Sequence, residues 1–185
     1  MKAAVLVNGV PASGKSATAR ALAAVTGWPL LALDTVKEAF FAHLGAGDRA
    51  YNRLLGRASY DALFALARDF PDGSTVIVDA WFGFQPLQVL TENLALANIA
   101  SVAELWCQAP PQTISARYTA RLAQRSAGHL GADYVPELIE LAGRAKPLGV
   151  FPLLEIDTTA PLAIEAIAAW TRQEFSQPAA PQAWR

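Results

Sequence analysis

Residues Gly9 to Ser16 read GVPASGKS, and their spacing is GxxxxGK(S/T). This stretch constrains the chain more than any other, because its flanks fit it. The apolar run Ala3 to Val7 ahead of it reads as a strand, and Lys15 to Thr26 behind it reads as a helix closed by Gly27. Gly9 and Gly14 let the backbone curl with its N–H groups pointing inward at a helix start, where aligned peptide dipoles favour an anion. Lys15 adds a mobile charge that can bridge β- and γ-phosphates, and the Ser16 hydroxyl is placed to ligate Mg2+. The expected cradle for a nucleoside triphosphate is Gly9, Val10, Pro11, Ala12, Ser13, Gly14, Lys15, Ser16 and Ala17.

Short apolar runs alternate with longer Ala- and Leu-rich segments of helical spacing, the pattern of parallel βαβ units. Further strands are expected at Pro29 to Leu33, Thr75 to Val78, Val102 to Trp106 and Leu153 to Ile156. Helices are expected at Val36 to His43, Arg57 to Asp69, Pro86 to Ala97, Pro111 to Gln124 and Pro161 to Phe175. Right-handed crossovers put such helices on both faces of the sheet, so the fold class is three-layer α/β/α. No internal repeat is evident. The expected organisation is one domain over 1–175, with a helical lid near 117–149, then a flexible tail over 176–185 in which Trp184 could dock on a partner.

Composition narrows the function classes. The chain has 185 residues, 53% hydrophobic and 17% charged, which suits one domain with one core and excludes a disordered chain. A net charge of -1 offers no general attraction for nucleic acid. The single cysteine, Cys107, excludes an internal disulfide and reads as a buried strand-end residue, and with two histidines it is too little for a zinc cluster. Charges or prolines interrupt every apolar stretch before about 18 residues, and the opening MKAAVLVNGV lacks a cleavage-site pattern, so neither a membrane span nor a leader is expected. The expected location is cytoplasmic.

In open α/β sheets ligands sit beyond the carboxyl ends of the strands, and two aspartates fall there. Asp34 follows the second strand in LLALDTVKEAF, where it can cap the next helix or accept the proton of an attacking hydroxyl. Asp79 ends TVIVD, as an acid that holds Mg2+ does or as a turn residue. If the third strand lies beside the first, Asp79 meets Ser16. Arg117, Arg121 and Arg125 recur every four residues with no acid between Glu104 and Asp133, a stripe able to close over a transferring phosphoryl group. His129 follows in SAGHLG, exposed or touching substrate, and Gly128, Gly131, Gly149, Pro136 and Pro147 supply hinges.

These motifs together resemble the small P-loop kinases, the group of chloramphenicol phosphotransferase, gluconate kinase, shikimate kinase and, more distantly, zeta-toxin kinases. The likeness rests on VNGVPASGKS, LALDTVKEAF, VIVDAWF, the Arg-bearing lid and LEIDTTAPLAIEAIAAW, and is nearest to chloramphenicol phosphotransferase. It implies a five-stranded parallel sheet in the order 2-3-1-4-5, ATP with Mg2+, Asp34 at the base position, and γ-phosphate transfer to a small-molecule hydroxyl. It also places DTTAPL, from Asp157, near the adenine. The chain departs from chloramphenicol phosphotransferase in AWFGFQPLQ and GAGDRAYNRLLGRASYDALFALARDF, where the acceptor would sit. There Tyr51, Arg53, Arg57 and Tyr60 are expected to face Trp81, Phe82 and Phe84, suiting a sugar, a sugar acid or an antibiotic-like alcohol, or else forming ordinary helix packing. A regulatory or toxin-related ATPase acting on a protein partner is the alternative reading. A polynucleotide kinase would want a basic path that the charge balance does not provide.

Overall fold

The computed structural model describes residues 1–125 and 128–176. Residues 177–185 of the expected tail, Trp184 among them, lie outside the described residues. In chain order the elements are β1 (Lys2–Asn8), α1 (Lys15–Thr26), β2 (Leu30–Ala32), α2 (Leu33–Leu44), α3 (Arg49–Arg68), β3 (Thr75–Asp79), α4 (Leu87–Leu96), β4 (Ile99–Gln108), α5 (Pro111–Arg121), α6 (Val135–Arg144), β5 (Leu153–Asp157) and α7 (Ile164–Ser176).

The strands form one parallel sheet in the order β2-β3-β1-β4-β5. The central strands β1 and β3 are nearly continuous apolar runs because both of their faces are covered. Successive side chains alternate between those faces. Leu6, Val76 and Val78 meet Tyr60, Leu63 and Phe64 of α3 and Leu90 and Leu94 of α4. On the opposite face, Val5, Val7, Ile77 and Leu105 meet Ala19 and Leu22 of α1 and Ile167 and Ala168 of α7. A third cluster of Val10, Ile114, Tyr118 and Leu138 fastens α5 and α6 over the loop that follows β1.

Strand β4 is longer than the sequence reading at both ends and α7 starts three residues later, at Ile164; four helices near the strand ends differ in ways that bear on the site. Helix α2 starts at Leu33, directly out of β2, rather than at Val36. Helix α3 starts at Arg49 rather than Arg57, capped by Asp48, whose side chain accepts from Tyr51 N at 2.8 Å. Gly56 lies inside that helix, a position that ordinarily argues against one. Helix α5 ends at Arg121 and tightens into a 3₁₀ turn, Leu122–Gln124. Helix α6, absent from the sequence reading, presents its apolar face through Leu138 to Ile114 and Tyr118. No helix among the described residues is long and apolar enough to cross a membrane.

Candidate active site at the strand ends

The loop between β1 and α1 takes the shape its sequence promises. Gly9 has φ 148° and Gly14, at the start of α1, has φ 95°, backbone that side chains rarely tolerate. Both are also crowded. A Cβ at Gly9 would lie 2.4 Å from Ser13 Oγ and 2.5 Å from the Cys107 carbonyl, and one at Gly14 would lie 2.8 Å from Thr158 Cβ. Ala12 is left-handed too, at φ 64°. Helix α1 has no acid in its first turn and no side-chain cap; Ala17 N and Thr18 N turn back to the Gly14 carbonyl and Ser13 N to Val10 O, which leaves the Lys15 and Ser16 amides at the helix start for an anion.

Register puts Asp79 at the centre of the strand ends, opposite Val7 of β1 and Ala32 of β2. Asp79 is only 5% exposed, and its Oδ1 has no hydrogen-bond partner among the described residues. Burial pushes its carboxyl above the usual range, against the pull of the Lys15 charge and the Ser16 hydroxyl. A buried, unpartnered carboxylate oxygen beside a hydroxyl and an ammonium is a donor set that fits a divalent cation, which would supply the charge that burial makes costly. One acid and one hydroxyl suit Mg2+, which keeps several waters and takes phosphate oxygens instead of an all-protein cage. No cluster of three or more His, Cys, Asp or Glu among the described residues could hold a metal by itself.

Asp34 lies in the first turn of α2, whose N-cap is Ala32, so it does not cap that helix. It is exposed and lines a cavity of about 200 Å³ together with Lys15, Asp79 and Pro11.

The arginine stripe does not hold together as one face, because α5 stops at Arg121. Arg117 donates to Thr158 Oγ1 at 2.9 Å and to the Thr158 carbonyl at 2.8 Å, while the Thr158 hydroxyl donates to Ser13 O at 2.7 Å. It therefore sits against the loop after β5, on the far side of the phosphate loop. Arg121 is exposed and lines none of the cavities described here. Arg125, carried round by the 3₁₀ turn, lies 4.8 Å from the Tyr118 ring centroid and lines the cavity with Asp34 and Lys15. His129 joins it there, with Nδ1 at 3.1 Å from Arg125 and Nε2 at 2.9 Å from Glu38. Asp157 is exposed and accepts from Thr159.

On the acceptor side, Arg53, Trp81 and Phe84 line the cavity, and Arg57 lines an adjoining one of about 520 Å³. The expected Tyr51, Tyr60 and Phe82 do not line either. Tyr60 is fully buried, its ring 6.0 Å from Phe82 and 5.5 Å from Phe84, and Phe82 is core; Tyr51 turns toward the Leu44 carbonyl at 3.4 Å. Tyr60 lies on the face of α3 that packs against the sheet, where burial is the stronger demand. Cys107 is buried, which pushes its thiol up to about 11 and leaves it an unreactive neutral group.

Sequence reasoning missed a network beneath the loop. Asn8 is fully buried, and its Oδ1 accepts from Gly9 N at 2.8 Å and Phe82 N at 3.1 Å. Its Nδ2 donates to Glu104 Oε1 at 2.7 Å, and both Glu104 oxygens accept from Leu148 N at 3.1 and 3.0 Å. Burial raises the Glu104 carboxyl, while hydrogen bonds from Asn8, Leu148 and Gly149 oppose that. Asn8 and Glu104 thus tie the loop, the segment after Asp79 and the chain entering β5. An acid within the otherwise apolar VAELW was the available signal.

A five-stranded 2-3-1-4-5 parallel sheet with a phosphate-type loop at the end of its central strand defines the class of P-loop domains with the kinase-type fold. Residues 5–134 match the family described as AAA domain, AAA_33, and the chain belongs to this family of P-loop kinase domains. None of the curated proteins matches it at a significant level. Among solved structures, a candidate kinase from Chloroflexus aurantiacus j-10-fl is 33% identical, with a TM-score of 0.78 over 94% of this chain and 98% of that one. Shikimate kinase from Acinetobacter baumannii in complex with shikimate is 16% identical, with a TM-score of 0.54 over 95% and 92%. The tunicamycin resistance protein of Deinococcus radiodurans is 18% identical, with a TM-score of 0.56 over 98% and 99%. The last two likenesses concern the fold.

Proposed function

We propose that the protein is an ATP-dependent kinase that transfers the γ-phosphate of ATP to a hydroxyl of a small molecule. The observation that carries this reading is one small cavity lined at once by Lys15, Asp79 and Asp34, fed by the free amides at the start of α1. A carboxylate lining the same cavity as Lys15 and Asp79 suits an acceptor hydroxyl that must lose a proton.

In this reading Lys15 and the loop amides neutralise and orient the triphosphate. Ser16 and Asp79 would hold Mg2+, which when bound offsets charge on the β- and γ-phosphate oxygens. Asp34 accepts the acceptor's proton as the acceptor oxygen bonds to the γ-phosphorus and the bond from that phosphorus to the bridging oxygen breaks, leaving ADP. Arg125 stands on the lid side of the cavity, placed to meet charge on the transferring group, while Arg117 and the loop from Asp157 flank the side where the base would lie. A small acceptor in the cytoplasm, and not nucleic acid, accords with the net charge of -1 and the free buried thiol.

Labelled ATP with Mg2+ and a panel of sugars, sugar acids, amino alcohols and antibiotics tests this reading through formation of a phosphorylated product. Asp34→Asn should lower transfer about 100- to 10,000-fold with nucleotide affinity nearly unchanged. Undiminished transfer by that variant removes Asp34 from the role of base.

A further inference from the structure

We propose that His129, held by Glu38, is the positioning residue that aims the Arg125 guanidinium into the cavity; what Arg125 does there rests on the kinase reading above. Arg125, His129, Asp34 and Lys15 line that cavity together. The His129 side chain is 6% exposed, and both of its ring nitrogens are engaged. Nδ1 lies 3.1 Å from Arg125 Nη2, and Nε2 lies 2.9 Å from Glu38 Oε1. A guanidinium has only donors, so Nδ1 must accept, and the ring proton is left on Nε2, which donates it to the Glu38 carboxylate. The chain of hydrogen bonds therefore runs one way, from Arg125 through the imidazole to Glu38, each bond polarising the next. Glu38 stands one turn beyond Asp34 on the same face of α2, so the helix that carries the proposed base also braces the arginine.

The surroundings fix this ring from several sides. Gly128 is buried against Phe41, where a Cβ would lie 2.3 Å from the aromatic ring, and Asn52 Nδ2 of α3 donates to the Gly128 carbonyl. On the other side of His129, the Tyr118 hydroxyl of α5 donates to Leu130 O at 2.6 Å. Phe41 of α2 meets the imidazole edge-on, with ring centroids 5.8 Å apart at 79°. An exposed loop histidine would need none of these contacts. The Arg125 guanidinium, by contrast, forms no ion pair with a carboxylate among the described residues and lies 4.8 Å from the Tyr118 ring centroid. Such partners suit an arginine that must keep its charge. A carboxylate set directly on Arg125 would cancel much of the field that a transferring phosphoryl group needs, whereas a neutral imidazole and a ring face direct the guanidinium and leave its charge in place. The Glu38 charge, one residue further back, strengthens Nδ1 as an acceptor without pairing the arginine.

The test has a spectroscopic arm and a kinetic arm. In the full chain isotope-labelled on its histidine ring nitrogens, the two imidazoles are those of His43 and His129, and His43→Gln tells them apart by nuclear magnetic resonance. At mildly alkaline pH the His129 Nδ1 should resonate as an unprotonated nitrogen and Nε2 as a proton-bearing one; Arg125→Ala should shift the first and Glu38→Ala the second. A proton on Nδ1, or nitrogens that neither variant moves, overturns the proposal whatever the protein catalyses. The kinetic arm reads ADP release from ATP with Mg2+, with each acceptor of the panel and with water alone. His129→Ala should lower kcat roughly tenfold with the KM for ATP changed by under about twofold, and in an Arg125→Ala background the same substitution should change kcat by under about twofold. Losses that multiply in the double variant overturn the proposal, since they would give His129 an effect of its own, and so does full activity of His129→Ala. If His129→Ala fails to fold, Glu38→Ala, at an exposed position, decides by the same comparison. A wild type that releases no ADP in any of these mixtures overturns the kinase reading and the role of Arg125 with it, while the nitrogen spectra still decide the direction of the hydrogen bonds.

Discussion

Replacing Asp79 by Asn should make the ligand-free protein more stable and less able to use ATP with Mg2+. The side chain is 5% exposed, and Oδ1 has no hydrogen-bond partner among the described residues, so the ionised form bears a desolvation cost that nothing in the free protein offsets fully. Asn has nearly the same shape, leaves the pairing with Val7 and Ala32 intact, and removes the charge. Relief at a strained functional position is typically worth about 0.5–2 kcal/mol, and for a domain of about 150–250 residues each kcal/mol moves the melting temperature about 2–4 °C. The expected gain without ligand is therefore about 1–8 °C. Because the folded-state carboxyl is raised, the stability linked to its proton is present at acid pH and lost as pH climbs above the ordinary carboxylate range through the folded value. The gap between variant and wild type should thus be small near pH 4 and widen toward neutrality. With ATP and Mg2+ the order should reverse, since a saturating ligand at a hundredfold excess adds about 2.7 kcal/mol that the variant largely forgoes. Thermal melts across pH, with and without ligand, measure all of this. A variant that melts below the wild type at neutral pH without ligand, or that keeps the full Mg2+-dependent stabilisation, refutes the assignment.

Other substitutions separate the remaining parts. Asn8→Ala leaves the Gly9 and Phe82 amides without their acceptor and takes a donor from buried Glu104, so it should cost about 2–5 kcal/mol and lower the melting temperature by roughly 4–20 °C. Gly14→Ala adds a Cβ at φ 95° against Thr158, and should weaken ATP binding by tenfold or more, read by calorimetry, with stability lowered by about 1–3 kcal/mol. Arg125→Ala should cut turnover far more than Arg121→Ala, on the order of a hundredfold against less than twofold in a coupled ADP-release assay. Equal losses would return Arg121 to the site.

The sequence by itself determined the phosphate loop, the parallel α/β alternation and the positions of all five strands, because local spacing and doubly buried apolar runs encode them. It also marked Asp34 and Asp79 as strand-end acids. Only the tertiary structure decided which side chains converge. Strand order put Asp79 between Val7 and Ala32, and the early end of α5 at Arg121 separated Arg125 from the stripe that its spacing suggested. Packing, too, withdrew Tyr60 and Phe82 into the core and set His129 between Arg125 and Glu38. The same holds for Asn8 and Glu104, 96 residues apart, whose hydrogen bond no local pattern announces. A period of 2 or 3.6 residues says which way a side chain faces on its own element, whereas a site is made by elements distant in the chain, and their approach depends on topology and burial.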